Sequence, residues 1–143
     1  GPLVLELRWG PVLRDLDLHL FIRSMGDDPT QHIGFGSLQG SLVEVPWAEW
    51  PRDITTSPPG VEQISIARWL VAKYDVLVHD YSGSSALPQG DVTLRMISDW
   101  AGEERVFAPG DGNGRWWHVC RIDGSNGRIE EINRLQTECP YQI

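Results

Sequence analysis

The feature that most constrains this chain is a two-residue period. In LVLELRW (3–9), Leu3, Leu5, Leu7 and Trp9 fall on every second position. In RDLDLHLFIR (14–23), Leu16, Leu18, Leu20 and Ile22 do the same, and Asp15, Asp17, His19 and Phe21 take the alternate positions. Side chains of a strand alternate between faces, so each stretch is a strand with one apolar face. The signal returns in VEQISIARWL, KYDVLVHDYSG (73–83), DVTLRMIS (91–98), ERVFAP, RWWHVCRID and RIEEIN, with shorter Gly-punctuated strands in HIGFGSL and SLVEV. Turn signals separate them: MGDDPT (25–30), DGNG (111–114) and GSNG (124–127). Only ARWLVAK and IEEINRLQ admit a helical reading, and both are short. About nine short, mostly antiparallel strands with turns every ~8–12 residues predict a single β-sandwich of immunoglobulin or prealbumin-like type.

The 143 residues suit one domain with a substantial core. Gly1-Pro2 reads as the scar of a cleaved tag, with residues 3–143 forming the domain, excised from a longer protein. The proline-rich segment VPWAEWPRDITTSPPG (45–60) reads as a long irregular loop. No apolar run is long enough for a membrane-spanning helix. Net charge is −8, and the basic residues form no cluster, which argues against nucleic acid and anionic membranes as partners. The two cysteines, Cys120 and Cys139, fit either a bridge that pins the C-terminal tail or two separate thiols.

Asp15, Asp17 and His19 form a row on one strand face, with neighbours ~7 Å apart. One ion does not reach all three at that spacing. His79, in VLVHDY, is the best partner from another strand. Asp17, His19 and His79 make a mixed oxygen and nitrogen set suited to Zn²⁺. A Ca²⁺ site would draw on Asp15, Asp17 and Asp80. The structural alternative is that the aspartates accept backbone N–H bonds and His19 bonds across strands. Catalysis has less behind it. Asp15 and Asp17 share a strand with no cleft, Ser82 lacks a nucleophile elbow, and no helix follows the glycines of GDGNG. The chain is expected not to be an enzyme.

Trp47 and Trp50 are the candidate contact residues, with Glu49 and Arg52 as polar rim. Aromatics on a proline-stiffened loop lose little entropy on binding, whether to a protein pocket or a sugar face. The alternative is that both fold back over the open edge of the sandwich. Trp116 and Trp117 take opposite faces of a regular strand. The pattern leaves open whether Trp116, His118, Cys120 and Ile122 or Trp117, Val119 and Arg121 face inward, and a bulge would mix the rows.

The order of motifs resembles the YfaP-like domain family, a bacterial β-sandwich family found mainly in exported proteins. LRWG followed by DLDLHL is similar to its opening strands, PPGVEQISI to its Gly-Pro-Glu turn and next strand, YDVLVHDYSG to its V-x-x-Y-S strand, and RWWHVCRID with GRIEEIN to its closing hairpin. These stretches span roughly residues 5 to 133. The segment carrying Trp47 and Trp50 is longer than the family pattern. The resemblance implies a non-catalytic binding or accessory module, extracytoplasmic or at the cell surface; an intracellular scaffold is the other location considered. From residues and resemblance together, the expected function is a protein–protein interaction or scaffold module using the Trp47/Trp50 loop. A partner protein or another domain of the same protein would dock there. The alternative is a metal-supported carbohydrate-binding domain.

Overall fold

The computed structural model describes residues 2–10, 16–23, 31–34, 38–50, 60–81, 87, 91–98, 104–110 and 112–141. They form an all-β sandwich of two antiparallel sheets with no helix. The strands are β1 (Leu3–Trp9), β2 (Leu16–Arg23), β3 (Gln31–Ile33), β4 (Gly40–Ser41), β5 (Ala48–Glu49), β6 (Gly60–Ile66), β7 (Lys73–Asp80), β8 (Thr93–Ser98), β9 (Glu104–Phe107), β10 (Trp116–Asp123) and β11 (Ile129–Gln136). One sheet runs β4-β5-β6-β1-β8-β9 and the other β11-β10-β7-β2-β3. No described helix is long and apolar enough to cross a membrane.

The alternating residues do what their period demands. Leu3, Leu5, Leu7 and Trp9 of β1 meet Leu16, Leu18, Leu20 and Ile22 of β2 in one core, joined by Ile64, Tyr74, Val76, Val78, Leu94 and Trp117. The outermost strands are shorter than the sequence suggests. Among the described residues, HIGFGSL contributes His32 and Ile33 to β3 and a bridge from Ile33 to Leu38, and SLVEV contributes Ser41 to β4. The 45–60 segment contains the two-residue strand β5, which pairs Ala48 with Ile66 of β6. IEEINRLQ is strand β11, and ARWLVAK is neither helix nor strand up to Ala72.

A bulge resolves the tryptophan rows. Val119 is one residue extra against β7, and Ile132 with Asn133 oppose it on β11. Trp117, Val119, Cys120 and Ile122 therefore all enter the core, while Trp116 packs on the other side of the sheet with Phe21 and Leu77. Neither sequence row survives intact. Asn133 takes the positive φ of 46° that the bulge requires, and its Oδ1 accepts the indole N–H of fully buried Trp117 at 2.8 Å. Asn133→Gly keeps the backbone geometry and strands that N–H, at a cost of about 1–2 kcal/mol in urea unfolding. Asn133→Ala is expected to cost about 1 kcal/mol more, because it adds a Cβ in the left-handed region. Equal losses in the two variants would refute the backbone share.

Both cysteines are free thiols. Cys120 lies in the inter-sheet core and Cys139 packs against the Phe21, Leu77 and Trp116 cluster on the opposite face of the sheet. Burial pushes the Cys120 thiol up to about 12.

Candidate functional site

The outer face of the five-stranded sheet is a grid set by strand register. Trp116 of β10, His79 of β7 and Asp17 of β2 lie in line across three strands. His118, Leu77 and His19 form the next line. Arg121, Asp75, Phe21 and His32 of β3 form the third. All four histidines of the chain, His19, His32, His79 and His118, thus gather on one face of one sheet.

This face is not the wet side of a strand. Every residue of β2 is buried. At the Phe21 and Arg23 end the cover is the C-terminal tail, whose Tyr141 ring lies 5.2 Å from that of Phe21 and 5.0 Å from the Arg23 guanidinium; around His19 it is the rings of His32, His79 and Trp116. The Tyr141 hydroxyl accepts a hydrogen bond from Arg121 Nη2 at 3.1 Å. Beneath it sits fully buried Asp75. Arg23 Nε and Nη2 donate to its Oδ2 at 2.8 and 2.7 Å, and His118 Nε2 and Arg121 Nε donate to its Oδ1 at 2.8 and 2.9 Å. Burial alone would raise the Asp75 pKa; the His118 hydrogen bond and the two guanidinium charges outweigh it and hold the carboxyl below its ordinary value. That half of the face is a structural ion network.

The other half gathers the sequence candidates. One ligand atom each from Asp17, His19 and His79 lie within 4.8 Å of one another. His19 is only 4% exposed. Its Nδ1 is 2.7 Å from His32 Nε2, and its Nε2 is buried with no hydrogen-bond partner among the described residues. Gly34 lets β3 come this close. A Cβ there would sit 2.7 Å from the Leu18 carbonyl oxygen and 3.0 Å from His19 Nδ1, and its φ of 144° also favours glycine. His79 is half-buried, stacked on Trp116 at 4.2 Å between ring centroids and edge-on to exposed Tyr81 at 6.0 Å. Burial, with the neighbouring His32 and His79, drives the His19 pKa down to about 3, and burial takes His32 down to about 4. Both rings are neutral at pH 7 and offer lone pairs rather than charge.

Asp15 lies outside the described residues. Asp80 is buried on the alternate, inward-facing set of β7, so it does not share a face with Asp17. The carboxylate cluster that Ca²⁺ would need is therefore not assembled from Asp17 and Asp80. His32 and Trp116 are not among the site residues singled out from sequence; the signal for His32 is QHIG, a histidine two residues before a glycine on a short strand.

The Trp47/Trp50 loop is on the other sheet. Neither tryptophan is an exposed plate. Trp50 packs against the core, and the Arg68 guanidinium lies 4.6 Å from the centre of the half-buried Trp47 ring. Glu49 is held in β5 opposite Gly40 and Ser65, and Arg52 lies outside the described residues. Between β4 and β5 the chain turns tightly. Ser41 Oγ accepts from the backbone N–H groups of Val43 and Glu44 at 3.2 and 3.3 Å, and the Trp47 N–H donates to the Glu44 carbonyl at 2.8 Å. The turn projects Leu42, Val43 and Val45, with Val43 82% and Val45 59% exposed.

Compared with family models, curated proteins and solved structures, the chain matches none.

Proposed function

We propose that the chain is a non-catalytic binding module that docks a protein partner, or another domain of its own protein, on the β4–β5 turn. The observation that carries this reading is the outward display of Leu42, Val43 and Val45 on a hydrogen-bonded turn. A pre-ordered loop loses little conformational entropy on binding, and adjacent exposed aliphatic side chains bury apolar surface when covered. Trp47 and Trp50 act as the loop's footing rather than as its contact surface. The motif order that resembles YfaP-like domains supports an accessory role in an exported protein. A glycan reading draws less support, because the two loop tryptophans offer no exposed coplanar platform for a sugar.

The test is photo-crosslinking from position 43 in extracts of the source cells, followed by the Val43→Asp/Val45→Asp variant. The variant should unfold within about 1 kcal/mol of wild type, since both side chains are already exposed. It should lose the crosslinked species. Crosslinking to the same partner at undiminished yield would sink the reading.

A further inference from the structure

We propose that Asp17, His19 and His79 form a binding site for one divalent transition-metal ion of the zinc class. This site lies on the outer face of the five-stranded sheet, away from the β4–β5 turn, so the proposal goes beyond the docking reading and stands or falls separately.

Three observations converge on it. The ligand atoms come from two hydrogen-bonded strands whose register sets Asp17 directly opposite His79, and all lie within 4.8 Å of one another. Tetrahedral ligands ~2.1 Å from zinc sit about 3.4 Å apart. The gap closes by small side-chain rotations. Next, His19 carries an imidazole nitrogen, Nε2, that is buried without a hydrogen-bond partner among the described residues. Native proteins rarely leave such an atom idle, and an ion is one of the explanations for it. Last, the other nitrogen of the same ring is fixed by His32 at 2.7 Å. Metal-binding histidines are ordinarily oriented through the nitrogen that does not bind, which sets the tautomer and aims the lone pair.

The donor set selects the ion. Two neutral imidazoles and one carboxylate suit zinc and its neighbours, whereas Ca²⁺ and Mg²⁺ call for oxygen ligands in greater number. Three protein ligands leave a fourth position, which on the half-exposed His79 side is open to water. The site does not complete the fold, because the core beneath β2 and β7 is closed by Leu16, Leu18, Val76 and Val78 without it. The ion is therefore expected to stabilise a chain that also folds without metal.

The experiment uses the full 143-residue chain, stripped with EDTA and freed of chelator. ZnCl₂ is titrated calorimetrically and thermal unfolding is recorded with ZnCl₂ or CaCl₂. Expected are one zinc per chain and a rise of several degrees in the unfolding midpoint at 100-fold excess over Kd, with a smaller response to calcium. His79→Ala and Asp17→Asn should keep the wild-type circular dichroism and lose the zinc-dependent rise. If His79→Ala fails to fold, the near-isosteric Asp17→Asn decides. No zinc binding by wild type, binding unchanged in both variants, or a calcium response as large as that to zinc would each overturn the proposal.

Discussion

Asp75→Asn is expected to destabilise the chain by about 3–5 kcal/mol, lowering the thermal midpoint by roughly 10–15 °C. The substitution barely changes shape, so the loss isolates charge. In the native sheet, Asp75 is fully buried and takes four donor contacts, two from Arg23 and one each from His118 and Arg121. The amide removes the counter-charge from Arg23, whose side chain is 8% exposed, and turns one accepting oxygen into a donor. A buried guanidinium without its carboxylate is the costly part; Arg121 is more open and has Glu130 at 3.8 Å. Two further variants test this account. Arg23→Met/Asp75→Leu, which removes both charges, should recover a large part of the loss, because apolar replacement of a buried pair is often close to neutral. Asp123→Asn, which breaks the exposed Lys73 pair at 2.8 Å, should change little. Equal losses in Asp75→Asn and Asp123→Asn would mean that burial has been misjudged as the cause.

The ion network was hidden from the sequence for a specific reason. Arg23, Asp75, His118 and Arg121 carry no local pattern; they meet only through the register of β2, β7 and β10. The tail that supplies Tyr141, TECPYQI, has no period, yet that ring packs on the Phe21, Leu77 and Trp116 cluster of this face. Asp17, His19 and His79 were legible because strand alternation fixes which side each faces, and the pairing of two strong strands is all that remains to be supplied. His32 required the register of a three-residue strand. A bulge accounts for the ambiguities of β10 and β11. One extra residue converts a spacing of two into three, which is why Ile129 and Ile132 give β11 a helical look and why Val119 and Cys120 both face the core. Trp47 and Trp50 are each partly buried, as large aromatics usually are, and the exposed residues of the β4–β5 turn are Leu42, Val43, Glu44 and Val45.

With metal removed and EDTA present, stability is expected to fall as the pH drops below 6.5. His19 and His32 are held neutral in the native state, down to about 3 and about 4, while the unfolded chain protonates both near their ordinary value of 6.5. Between those limits the unfolded state binds more protons than the native one, so stability rises with pH through the window and is lost on acidification. At pH 5 the bound is about 2 kcal/mol for each ring. The two are not equivalent, because a single proton occupies the 2.7 Å gap between His19 Nδ1 and His32 Nε2. A first extra proton meets burial and the nearby His79 ring; a second would place N–H against N–H and break the contact. The groups around the pair are Phe21, stacked on His32 at 4.1 Å, and Trp116, 5.2 Å from His19, and neither ring carries a charge to offset a cation. Asp17 is the one carboxylate of the nearby triad, and its distance to His19, within 4.8 Å, decides how much relief it gives. Urea unfolding at pH 5, 6 and 7 checks the slope, and His32→Gln should flatten it by removing one titrating ring and the contact that forbids the second proton. A wild-type curve that is level from pH 7 to pH 5 would mean that the pair opens to water in the native state, and that the buried nitrogen of His19 is hydrated.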